Sequence, residues 1–133
     1  MNLAVCITLF DGYELLDDCV TNYKRFCDTI IICYQSVSNT GIYDDEVVGH
    51  LIKYLDDPLI TIICFEPNLK KSIKDNEMIK HTLMVNKAKE LGASHFIISA
   101  VDHFYSLDEI NKILPVALQY DSTFTKIQTY YKY

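Results

Sequence analysis

The sequence predicts an α/β protein of three layers, a mainly parallel sheet covered by helices on both faces. Three observations lead there. Short apolar runs rich in β-branched residues recur along the chain at the length of buried strands. Between them lie stretches whose apolar residues repeat at helical spacing. The two kinds alternate as β-α-β-α-β-α-β-α-β, and parallel strands need such crossovers because a tight hairpin cannot join them. The 133 residues fit one domain, 1–133.

Leu3 to Phe10 is the first expected strand. It has no basic segment ahead of it, so it reads as a strand rather than a signal peptide. Asp11 and Glu14 have capping-box spacing ahead of a helix that turns Leu15, Leu16, Cys19, Val20, Tyr23 and Phe26 inward. Thr29 to Tyr34 is the second strand. Gln35 to Gly41 has loop chemistry. Val47, Val48, Leu51, Ile52 and Leu55 mark a second amphipathic helix, ended by Asp56-Asp57-Pro58. Leu59 to Phe65 is the third strand. A lysine-bearing loop then leads to a third helix from about Asn76 to Leu91, stopped by Gly92. His95 to Ser99 is the fourth strand. Ser106 and Glu109 form a second capping-box pair, and Pro115 is expected to kink or shorten the helix they open. Thr123 to Tyr131 reads as extended. Tyr130, Tyr131 and Tyr133 fit strand packing or an interface, so a homo-oligomer is compatible with the sequence.

Half the residues are apolar and 23% are charged, which supports a packed core. The formal net charge of −6 disfavours nonspecific nucleic-acid binding, because phosphate calls for a basic surface. No apolar run approaches the roughly 18 residues of a membrane span. The five cysteines show no CxxC spacing, and three of them, Cys6, Cys33 and Cys64, sit in apolar strand-like runs. They read as small buried hydrophobes in a reducing, cytoplasmic setting.

Ligands of parallel sheets bind beyond the carboxyl ends of the strands. The loops there carry Asp11 and Glu14, then Gln35, Ser38 and Asn39, then Lys70, Lys71 and Lys74 leading to Asn76, Glu77 and Lys80, then Asp102 and His103. Neither GxGxxG nor GxxxxGK[ST] occurs, so dinucleotide and P-loop sites are unsupported. A diphosphate can instead be held by the lysines and by a helix N-terminus near Asn76. A divalent cation would take hard oxygen ligands, with Asp102 the candidate. Each residue also has a plain structural reading: Asp11 and Glu14 as caps, Ser38 and Asn39 as turn formers, the lysines at 70, 71 and 74 as a solvated loop, Asn76 and Glu77 as a helix start, and His103 as a loop histidine.

The stretches Leu9-Phe10-Asp11-Gly12-Tyr13-Glu14-Leu15-Leu16, Tyr34-Gln35-Ser36-Val37-Ser38-Asn39-Thr40-Gly41, Asn76-Glu77-Met78-Ile79-Lys80 and Asp102-His103-Phe104-Tyr105 occur in this order. Together they resemble GT-A-fold glycosyltransferase-like proteins of bacteria and their phages. The resemblance extends to Tyr120-Asp121-Ser122-Thr123 and Thr129-Tyr130-Tyr131-Lys132. It implies a nucleotide-diphosphate sugar donor, an unknown acceptor, a Mn²⁺ or Mg²⁺ ion, and a setting in the bacterial or phage-host cytoplasm. Asp11 and Glu14 would lie near base and ribose. Gln35, Ser38 and Asn39 would flank the nucleotide. Asn76 and Lys80 would face the base or the diphosphate, and Asp102 would ligate the metal; His103, which departs from the family, could supply an imidazole ligand better suited to Mn²⁺ than to Mg²⁺.

Two departures stand against it. The first aspartate of the family's DxD signature is Ala100 here, the glutamate after that signature is His103, and the arginine after the family's lysine is His81. The family also continues into acceptor-binding elements past the point where this sequence stops, at Tyr133. The chain is therefore expected to be a fragment, a natural truncation, or a degenerate module with a binding or structural role.

Overall fold

The computed structural model describes residues 2–122. The elements are β1 (Leu3–Leu9), α1 (Leu16–Tyr23), β2 (Thr29–Tyr34), α2 (Glu46–Leu51), β3 (Ile60–Cys64), α3 (Ile73–Glu90), β4 (His95–Ala100) and α4 (Leu107–Ala117). A 3-10 turn, Tyr13–Leu15, precedes α1, and another, Ile52–Tyr54, extends α2. The four strands form one parallel sheet in the order β3-β2-β1-β4. The fifth expected strand, and the three tyrosines near the end of the chain, lie outside the described residues.

β1 is apolar throughout because both of its faces are covered. Ala4, Val5, Cys6 and Ile7 are fully buried. Val5, Ile7 and Leu9 join Ile30 and Ile32 on one face, packed by Leu16, Cys19, Val20 and Tyr23 of α1 and by Val47 and Leu51 of α2. Ala4 and Cys6 join Ile31 and Cys33 on the other, packed by Phe65 and by Met84 and Ala88 of α3. The helices therefore cover both faces, as the alternation of elements predicts.

The element ends differ from expectation, and each difference has a local cause. Asp11 does not cap a helix. Gly12 occupies that position in the left-handed region (φ 69°), and the chain enters a 3-10 turn with no side-chain cap. A Cβ on Gly12 would lie 3.1 Å from Val101 Cγ1, so both the close passage to the end of β4 and the positive φ favour glycine there. α3 begins three residues earlier than expected. Ser72 is its N-cap and accepts from the Asp75 N–H at 3.1 Å, which leaves Asn76 one turn inside the helix. Ser106 does precede α4, but its side chain makes no capping bond. Pro115 falls in the last turn of α4, where its missing N–H does not end the helix.

In α2 the buried residues are Val47, Leu51 and Tyr54, while Val48, Ile52 and Leu55 are exposed. Adjacent apolar pairs make two neighbouring faces equally periodic, and contact with the sheet selects one. Cys6, Cys19 and Cys33 are buried, and burial pushes each thiol up to about 12. Cys64 is instead exposed, at the end of edge strand β3. Among the described residues no helix is long and apolar enough to cross a membrane.

α3 reverses the usual amphipathic order. Asn76, Lys80, Met84 and Ala88 face inward, while Met78, Ile79 and Leu83 face solvent. Met84→Ala is therefore expected to cost about 2–5 kcal/mol, and Met78→Ala within about 0.5 kcal/mol. Urea denaturation of the two variants checks this; equal losses would contradict the orientation of α3.

Candidate crevice at the strand ends

Successive connections leave β1 toward β2 on one side, whereas β4 pairs on the other. Such a switch point opens a gap beyond the carboxyl ends of the strands. A crevice of about 460 Å³ lies there, lined by the end of β1, the Asp11–Leu15 turn, Glu77 and Lys80 of α3, and Ala100 to Asp102 after β4. Asp11, Glu14, Lys80 and Asp102 thus converge from three separate crossover units.

Lys80 is the buried charge of the site, its side chain only 6% exposed. Its Nζ donates to Gln35 Oε1 at 2.6 Å and to Glu77 Oε1 at 2.7 Å. Gln35, itself buried at the end of β2, donates from Nε2 to Val37 O at 3.0 Å and to Asn39 Oδ1 at 3.3 Å. Asn39 closes the ring by donating to Glu77 Oε1 at 2.7 Å. A desolvated ammonium is tolerable only with such partners, and here a carboxylate and an amide supply them. Burial opposes the charge on Glu77, but the bonds from Lys80 and Asn39 outweigh it and hold the carboxyl below the ordinary glutamate value.

Other predicted residues stand apart from the crevice. Ser38 shapes its own turn, accepting from the N–H groups of Thr40 at 3.2 Å and Ile42 at 2.9 Å. Asn76 is fully buried and fastens the loop before α3, accepting from Asn68 N–H at 2.9 Å and donating to Asn68 O at 3.0 Å. The helix N-terminus expected near Asn76 lies instead at Ser72. Lys70, Lys71 and Lys74 are exposed and absent from the crevice lining. His103 turns its Nδ1 toward Ser99 Oγ at 3.3 Å and the Ala100 N–H at 3.4 Å. Its Nε2 lies 3.9 Å from Asp102 Oδ1.

Among the described residues no group of three or more histidine, cysteine, aspartate or glutamate side chains is placed to hold a metal. Asp102 and His103 alone do not make a self-sufficient site. One carboxylate does fit a cation that arrives on a diphosphate, since magnesium commonly takes one or two protein carboxylates plus phosphate oxygens.

The sequence reading gave no site role to Glu77, which it placed among the strand-end residues, or to Tyr13, which adjoins the crevice-lining turn. Glu77 was legible as an i, i+3 partner of Lys80 on a helix. Tyr13 had no such signal. Its hydroxyl donates to Glu46 Oε2 at 2.9 Å, its ring meets that of His50 at 4.6 Å, and it so ties the crevice rim to α2. That hydrogen bond to Glu46 is the main reason the phenol is pushed up to about 12.

Fold and site together define an α/β protein with a polar crevice at the switch point of a parallel sheet. Comparison with family models, with curated proteins and with solved structures finds no match.

Because the Glu77 carboxyl is depressed in the folded state, its stabilising effect is present above the ordinary glutamate range and is lost as pH falls below it. The stability gap between wild type and Glu77→Gln should be constant from pH 7 to roughly 5 and shrink below about 4. Denaturant titrations across that range measure it, and a gap that widens toward acid would contradict the arrangement.

Proposed function

We propose that the crevice binds a nucleotide-diphosphate sugar and that the chain is the donor-binding part of a glycosyltransferase of the GT-A type. The observation that carries this reading is the convergence of Asp11, Glu14, Lys80 and Asp102 on one crevice at the switch point. Parallel α/β sheets present nucleotides at that location.

Charge defines how the ligand is held. Four carboxylates, of Asp11, Glu14, Glu77 and Asp102, line the crevice with a single ammonium, that of Lys80. A bare diphosphate meets net repulsion there, so it enters with a divalent cation, and Asp102 is the carboxylate that receives the pair. The cation, when bound, neutralises charge developing on the leaving diphosphate. Asp11 and Glu14, exposed on the turn after β1, offer acceptors to sugar or ribose hydroxyls. Gln35 and Asn39 act through Lys80 and Glu77 rather than on the ligand directly. The buried thiols suit a reducing cytoplasm.

A second reading has its own support. Ala100 stands where the family has the first DxD aspartate, and no three-residue metal cluster occurs among the described residues. Both favour a module that keeps the nucleotide and has lost transfer.

Thermal unfolding with UDP, GDP and CMP compounds, with and without Mn²⁺, tests the binding. The expected outcome is a cation-dependent stabilisation of about 2.7 kcal/mol at a hundredfold excess over Kd, lost in Asp102→Ala. No stabilisation by any nucleotide would sink the proposal. Slow Mn²⁺-dependent release of sugar from the bound donor separates the transferase from the degenerate module, which binds without release.

A further inference from the structure

α3 carries apolar side chains on the side that turns away from the sheet. Met78, Ile79 and Leu83 are 60%, 43% and 37% exposed. A helix face that meets only water is ordinarily polar. Asp75, Met78, Thr82, Asn86 and Lys89 recur every three or four residues and so share this outer side, opposite the inward Asn76, Lys80, Met84 and Ala88. A shallow groove of about 410 Å³ runs along it. Among the described residues its lining is Met78, Ile79, Thr82, Leu83 and Asn86, all of α3 itself. Contiguous exposed apolar surface between polar ends marks a face that binds protein.

The charges at the two ends of the face decide what covers it. Asp75 is exposed in the first turn of α3 and Lys89 in the last. Asp75 Oδ2 accepts from Ser72 Oγ at 2.7 Å, and Oδ1 has no hydrogen bond among the described residues. Lys87 is paired with Glu90, whereas Lys89 has no carboxylate partner among the described residues. Both Asp75 and Lys89 lie seven positions, about two helical turns, from Thr82. The face is therefore complementary to itself when reversed. We propose that α3 is the contact of a two-fold homodimer, two copies crossing antiparallel at Thr82. Asp75 of each copy then meets Lys89 of the other, and the two helix dipoles oppose. Thr82 is small enough to let the helices approach, and Met78, Ile79 and Leu83 of both copies leave water. A parallel copy would set like charge on like, and a uniformly acidic or basic partner would satisfy one end only. Lys80 faces away from this contact, so the crevice of each copy stays open whatever it binds.

Sedimentation equilibrium of the full chain tests the dimer. A contact this small is weak, with a dissociation constant on the order of 10 µM or above. The wild type should therefore pass from monomer toward dimer between roughly 5 and 500 µM. Ile79→Lys should weaken association about tenfold or more, because it sets an ammonium in the desolvated seam. Lys89→Glu and Asp75→Lys should each weaken it about tenfold or more, because each alone opposes like charges twice. Mixing those two variants should restore association as a heterodimer, to within about threefold of the wild type, since opposite charges then meet at both ends. All three positions are exposed, and circular dichroism checks that each variant keeps its helices. A wild type that is monomeric at every concentration overturns the proposal. So does a dimer that Ile79→Lys leaves intact, which would place the contact elsewhere. A mixture of folded Lys89→Glu and Asp75→Lys that stays monomeric overturns it as well.

Discussion

β1 must be paired along both edges and covered on both faces, and most of the architecture follows from that. Its backbone groups are satisfied by β2 over Ala4 to Leu9 and by β4 over Leu3 to Thr8. Its side chains are divided between two cores. Parallel pairing sends each connection back across a face of the sheet, so the loops that follow the strands gather at one end. With β2 on one side and β4 on the other, the connections diverge and leave the space above β1 uncovered. The crevice is a consequence of pairing geometry before any polar residue is considered.

The polar residues then exploit that space through α3. The helix begins near the carboxyl ends of the strands, and its inward positions change character along its length. Met84 and Ala88 meet the sheet and are apolar, whereas Asn76 and Lys80 belong to the end that borders the crevice and the loops. An apolar residue at 80 would pack well but would leave Gln35 and Glu77 without their shared donor. Burying an ammonium is costly, and the ring of Gln35, Asn39 and Glu77 offsets the cost by fixing every partner. Loop, strand end and helix are thereby held in one register around the crevice.

How much of this was legible depended on whether a local rule had a competitor. Strand cores such as Thr29 to Tyr34 were readable because a short run rich in β-branched residues favours strand over helix. Gly92 was readable as a helix stop because the position after the last turn needs a left-handed residue. The capping role of Asp11 was misleading, since Asp11-Gly12-Tyr13-Glu14 satisfies a spacing rule while close passage to Val101 dictates the turn. Val47 and Val48 satisfied the same helical period, and only the sheet distinguishes them. The candidate site was half legible. Asp11, Glu14 and Asp102 could be named from their places after strands and Lys80 from its helix, but that Ser38, Asn76 and His103 lie outside the crevice lining was decided only by the tertiary structure.

The sequence by itself determined the alternation of elements, the apolar surfaces that become the two cores, and the set of polar residues available at the strand ends. These are local properties, written in residue type and period. Tertiary structure alone decided which of those residues share a crevice, which way α3 turns, and that Lys80 is buried against Gln35 and Glu77. Gln35 and Lys80 are 45 positions apart. No local preference couples residues at that distance; only the packing of α3 over β2 brings them into contact.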